Sequence, residues 1–112
     1  MTTYRTNAGP HDPRERLAEL TDAWRRETSN VHVLVELALL EEELRELDGA
    51  RKHFRALLLL RLDGTSLTQA DVFCHLATIE LLAGDVPKAR AMAERALAAD
   101  ATHARAREIL GR

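Results

Sequence analysis

The sequence predicts an all-α protein, and three observations predict it. No stretch alternates polar and apolar residues with a period of two, and Val and Ile are scarce. Apolar residues recur instead at spacings of three and four, as in Leu17, Leu20 and Trp24. The third observation is the break in "LLAGDVPKARAMAERALAAD", residues 81–100, where Gly84, Asp85 and Pro87 stand between two helical stretches. Asp85 is a good N-cap, and Pro87 fits the first turn of the next helix, where a missing N–H costs nothing. The break reads as a tight turn between two packed helices.

The elements follow in order. Residues 1–11 are polar, contain Gly9 and Pro10, and are expected to form a flexible tail. Asp12 is then an N-cap, Pro13 takes the first helical position, and Glu15 completes a capping box. "TSN" at 28–30 ends this helix and can cap the next, which is expected over 31–44 with Leu34, Leu37, Ala38 and Leu44 on one side. A break over Arg45–Gly49 leads into a third helix, "ARKHFRALLLLRL", residues 50–62. "DGTSLTQ" at 63–69 is a longer polar connection in which Thr68 and Asp71 form a second capping pair. A fourth helix is expected over 69–83, a fifth from Asp85 to Asp100, and a short sixth from His103.

A period runs through the second half. Leu76-Ala77 returns as Leu110-Gly111 after 34 residues, and Ala70 likewise as Ala104. At this spacing the chain resembles the tetratricopeptide repeat, a helix–turn–helix unit of about 34 residues. A unit at 70–103 places Phe73, Leu76 and Ala77 at positions 4, 7 and 8, Gly84-Asp85 at the turn, and Ala89, Ala93 and Ala96 at 20, 24 and 27. A more diverged unit at 31–64 offers Leu34, Leu37, Ala38, Ala50 and Phe54. Its turn reads Arg45-Glu46, and Leu57 replaces the small residue at 27. Five extra residues, 65–69, separate the two.

The resemblance implies a right-handed α-solenoid of antiparallel helix pairs with about six helices, forming one domain over 12–112. Small residues let paired helices approach closely while large ones fill the gaps around them. The helix over 12–29 fits the second half of a preceding unit, with Arg16 as the departure. Residues 104–112 fit the first half of a following one and form a charged cap.

Composition narrows the function classes. At 112 residues the chain holds one core. A net charge of -2 gives no basic field, which argues against nucleic acid as a ligand. The single cysteine, Cys74, excludes an intrachain disulfide and suits a reducing compartment. With no apolar signal region and no run longer than "ALLLL", the expected location is the cytoplasm, without membrane insertion.

The five histidines are scattered, so they read as surface or groove residues, with no metal site. Cys74 and His75 point about 100° apart on a helix, which disfavours a nucleophile–base pair. "LLAGDVPK" lacks the second glycine and the Lys-Ser/Thr ending of a phosphate loop. "EEELRE" at 41–46 reads as a solvated helix end, and "RKHFR" at 51–55 as an exposed face around a core Phe54. Neither a catalytic constellation nor a cofactor is expected.

The resemblance further implies a protein-binding groove lined by the first helices of the units. Carried onto this sequence, the groove residues are His32, Val35, Leu39, Glu42 and Glu43, then Asp71, Cys74, Thr78, Leu81 and Leu82, then Arg105, Glu108 and Arg112. Val35, Leu39, Cys74, Leu81 and Leu82 would face solvent, and an exposed apolar stripe points to a partner. The clamp for a terminal carboxylate found in some members of that family is rejected, because Val35, Leu39, His75 and Ile109 stand where it needs Lys, Asn or Arg, and only Arg105 is compatible. The expected function is that of an adaptor binding an apolar or amphipathic segment. The alternative is a homodimer built through the groove or through a leucine-rich helix at 54–62.

Overall fold

The computed structural model describes residues 12–112; the tail expected over 1–11, with His11, lies outside the described residues. Six α-helices and no strand occur among them: α1 Pro13–Arg26, α2 Val31–Glu43, α3 Leu47–Leu57, α4 Gln69–Leu82, α5 Val86–Ala99 and α6 Ala104–Leu110. Each helix packs on the next in the chain, with principal extents of 52 × 27 × 22 Å.

Local chemistry sets most of the boundaries. Asp12 accepts the Arg14 N–H at 2.9 Å, one residue before Glu15, so α1 has its N-cap without the capping box expected from Glu15. Asn30 accepts from Val33, and Asp85 from Lys88. Thr68 and Asp71 form the reciprocal capping box expected of them. Only α3 begins without a side-chain cap.

The break expected over Arg45–Gly49 is shorter in the structure, because α3 already includes Leu47, Asp48 and Gly49. The reason lies in the turn itself. Arg45 adopts a left-handed backbone, φ 63°, which Gly84 adopts at the corresponding turn with φ 84°. The two turns match bond for bond: Glu46 N–H donates to Glu41 O as Asp85 N–H donates to Glu80 O, each at 2.8 Å. Arg45 thus does a glycine's work at the cost that a Cβ brings to this conformation.

The helix expected to run to Leu62 ends at Leu57, so no leucine-rich helix 54–62 exists. Leu58, Leu59 and Leu60 donate to carbonyls three residues back, tightening the chain into turns. Leu58, Leu60, Leu62 and Leu67 pack onto the core from irregular backbone, which explains their number without a helix. Leu59 is left 87% exposed.

The core has two parts. Phe54, Leu57 and Leu34 anchor the first, with Val72, Leu76 and Ile79. Alanines build the second: Ala77 of α4, Ala93 and Ala96 of α5, and Ala106 of α6, all fully buried. Such small side chains let α4 and α5 approach closely, as their spacing implies.

Two carboxylates at corresponding places in α2 and α4 are buried, which corrects the solvated reading of residues 41–46. Glu41 accepts from His53 Nδ1 at 2.6 Å, and lies against Gly49 of α3. Glu80 takes Arg51 in two bonds, at 2.8 and 3.3 Å. Arg51 and His53 are therefore helix-to-helix ties, and the exposed face expected of residues 51–55 is reduced to Lys52 and Arg55.

A Cβ at Gly49 would collide with Glu41 Oε2 and stand 3.0 Å from its Cδ. Gly49→Ala should therefore expel the carboxylate from His53 and lose about 1 kcal/mol, despite the better helix propensity of alanine. In a Glu41→Ala background the same change should gain up to about 1 kcal/mol. Urea midpoints of the four proteins check this; simple additivity would contradict the packing described.

Candidate binding cleft

The helices α2, α4 and α6 meet at a cleft of about 370 Å³, lined by Glu42, Asp71, Cys74, His75, Thr78, His103 and Arg105. Every lining residue belongs to one of these three helices or, for His103, caps one. A second cavity, about 460 Å³, lies under the 58–69 connection among Leu58, Leu60, Leu62 and Leu67. Asp63 is its one ionisable group, whereas the first gathers several.

Each histidine in the cleft is held by a carboxylate 32 or 33 residues earlier in the chain. His75 Nδ1 lies 2.8 Å from Glu42 Oε1. Its ring stacks on Phe54, centroids 4.8 Å apart and planes 7° from parallel. A carboxylate accepts, so the Nδ1–H of His75 donates to Glu42. His103 is engaged through both ring nitrogens. Its Nδ1 accepts the Ala106 N–H at 3.3 Å, capping α6, while Nε2 donates to Asp71 Oδ1 at 2.7 Å.

Burial acts to raise the Asp71 carboxyl, but the Thr68 amide, His103 and the Thr68 hydroxyl together hold it below its ordinary value. Burial pushes the Cys74 thiol up to about 11, with Asp71, Glu42 and Glu108 adding to the rise against Arg105. That is the opposite of an activated thiol. Among the described residues no group of three or more His, Cys, Asp or Glu could hold a metal ion.

Of the residues expected in the groove, Glu42, Asp71, Cys74, Thr78 and Arg105 come together here. Leu81 and Leu82 lie further along α4, 38% and 43% exposed, and Glu43 and His32 are exposed outside the cleft. Two apolar assignments are corrected. Val35 is 6% exposed and belongs to the core around Phe54, because α2 packs on both α1 and α3. Cys74 is 5% exposed and packs with Ala77 and Ala106, so it does not face solvent. Leu39 is half-buried against the first core.

Glu108 holds Arg105 at 2.6 Å, and Arg112 pairs with Glu94 of α5 at 2.8 and 3.0 Å. The centre of the face is therefore polar, with apolar groups to one side. His75 and His103, expected as surface or groove histidines, line the cleft without having been named among the groove residues, whereas His53 is neither on the surface nor in the cleft. A signal was present: carboxylates stand 33 and 32 residues before His75 and His103, close to one repeat length.

No protein-family model matches the chain, and no curated protein matches it. None of the helices among the described residues is long and apolar enough to cross a membrane.

Proposed function

We propose that this chain is a non-catalytic protein-interaction module of tetratricopeptide design. In this reading its helices pair antiparallel in a right-handed solenoid, and it works as an adaptor in the cytoplasm. An apolar or amphipathic segment of a partner lies along the face formed by α2, α4 and α6, with apolar side chains towards Leu39, Leu81 and Leu82.

The observation that supports this most is the cleft, to which only alternate helices contribute. Concave sites shared between helices are where peptide segments lodge. The raised Cys74 thiol and the engagement of His75 and His103 with carboxylates favour binding over nucleophilic chemistry. Self-association through the same face is the competing reading, favoured by the exposure of Leu81, Leu82 and Val86. Its other version, through a helix at 54–62, falls with that helix.

Selection of a random peptide library on the purified chain tests the reading, with light scattering run alongside. Enriched peptides should lose at least about tenfold in affinity on Thr78→Arg or Leu82→Asp, since a buried charge or clash at a contact costs more than 1.4 kcal/mol. Lys52→Asp on α3 should leave them unchanged. Peptides that ignore the two cleft-side variants and depend on Lys52 would place the working surface elsewhere. A dimer abolished by Leu82→Asp would favour self-association, and a monomer that enriches nothing would end the adaptor reading.

A further inference from the structure

The triplet Leu-Asp-Gly occurs twice in the chain, at 47–49 and at 62–64. An aspartate before a glycine is open to attack on its own carboxyl, because glycine has no side chain to shield its nitrogen or restrict its approach. In both copies the aspartate is exposed and paired with an arginine, Asp48 with Arg51 and Asp63 with Arg61. Sequence, exposure and charge therefore treat the two alike. The backbone separates them.

Asp48 and Gly49 lie in the first turn of α3. Attack needs the glycine nitrogen, the main-chain carbonyl carbon, Cα, Cβ and Cγ in one nearly flat ring. A helical ψ of about −42° holds the nitrogen well out of that plane. Gly49 is also packed, since a Cβ there would collide with the Glu41 carboxylate. Turning the main chain at Asp48 would open the start of α3.

Asp63 and Gly64 are instead the central residues of a turn, closed by Thr65 N–H donating to Leu62 O at 3.0 Å. Gly64 has φ 79°, and a Cβ there would meet only His32 Cε1, at 4.0 Å. Its N–H makes no hydrogen bond among the described residues. The connection around it is neither helix nor strand, so a rotation at Asp63 disturbs one turn and no ladder of bonds.

We propose that Asp63 is a site of spontaneous isomerisation to isoaspartate, and that α3 protects Asp48 from the same reaction. The Gly64 nitrogen attacks Cγ of the protonated Asp63 carboxyl. The N–Cγ bond forms, the Cγ–OH bond breaks, and the hydroxyl leaves with the amide proton as water. One water then opens the cyclic imide. Opening at Cγ restores aspartate. Opening at the main-chain carbonyl breaks the old peptide bond, frees an α-carboxylate and routes the chain through Cβ and Cγ. Water lost equals water gained, and nothing is oxidised or reduced.

The product has one more backbone carbon between Leu62 and Thr65. The Thr65 hydroxyl contacts to Leu62 O and Leu67 O, at 2.7 and 3.2 Å, belong to the shorter chain. Leu62 and Leu67 pack on the Phe54 core beside these contacts, so the change loosens their hold on it. The site lies on the second cavity, outside the cleft of α2, α4 and α6, and is independent of the adaptor reading.

The test incubates the full chain at physiological temperature and pH, with a second sample unfolded in urea. Peptides from each are sequenced by electron-transfer mass spectrometry, which distinguishes the two isomers. In the folded chain isoaspartate should form at 63 at least about tenfold faster than at 48. In urea the two sites should react at similar rates. The melting temperature of the aged chain should fall, whereas Asp63→Glu, which keeps a carboxylate beside Arg61, should age without that fall.

Equal rates in the folded chain, or a faster rate at 48, would overturn the proposal. So would a folded chain that forms no isoaspartate at 63 while the unfolded one does. A difference of the same size in urea would assign it to flanking residues and overturn the protective role of α3. An unchanged melting temperature with isoaspartate present would remove the consequence drawn for Leu62 and Leu67.

Discussion

Replacing Phe54 by alanine should cost about 3–5 kcal/mol, the usual penalty for emptying a fully buried aromatic site. Phe54 is completely buried and packs at the centre of the larger core, with residues of α2 and α4 around it. A domain of this size commonly has only about 5–15 kcal/mol in hand, so the variant should sit close to unfolding at room temperature. The loss should reach the cleft too, because the same ring backs His75. Phe54→Leu separates the two effects: it keeps most of the volume and loses the flat surface. Urea melts followed by circular dichroism check the first effect, and the His75 nitrogen shifts check the second. A loss below about 1 kcal/mol for the alanine variant would mean that the ring does not anchor the core.

Arg51→Met should cost about 3 kcal/mol, and the cause is the charge left behind more than the bonds removed. The Glu80 side chain is 5% exposed, so without Arg51 its carboxylate would remain buried and unpaired. Arg51 is itself 22% exposed, which puts the expected figure at the low end for a buried pair. The double variant Arg51→Met, Glu80→Leu removes both charges and should recover most of the loss. A double variant no more stable than the single one would show that the pair contributes specificity of packing beyond its charge balance.

Most helices were legible because their signals are local. Asp12, Asn30, Asp85 and the Thr68–Asp71 pair cap where their positions say they should, since capping is decided within four residues. The turn at Arg45 was less legible for a physical reason. A left-handed residue is read from glycine, and here arginine takes that conformation in a turn closed by the Glu46 N–H to Glu41 O bond. Leucines at 58–62 misled in the other direction: their density suits a helix, but they are used as loop anchors over the Phe54 core.

Part of the cleft lining was legible in the sequence, and the burial of Val35 and Cys74 was not. Glu42, Asp71, Thr78 and Arg105 came from the repeat phase, which depends on spacing alone. Whether a residue on that face is covered depends on what the neighbouring helix carries, and no spacing shows that. Val35 is taken into the core for this reason, and the histidine–carboxylate bonds span 33 and 32 residues, beyond any local signal.

The packing of each helix on its chain neighbours has a kinetic meaning. Contacts between elements adjacent in sequence close only short loops, so little entropy is lost before each interface begins to reward the chain. Such a protein is expected to fold fast for its size. The α4–α5 interface, with its close-packed alanines, is the natural first to form. The ends can open while the middle stays shut, and α6, only seven residues long, is the first to exchange its amide hydrogens with solvent.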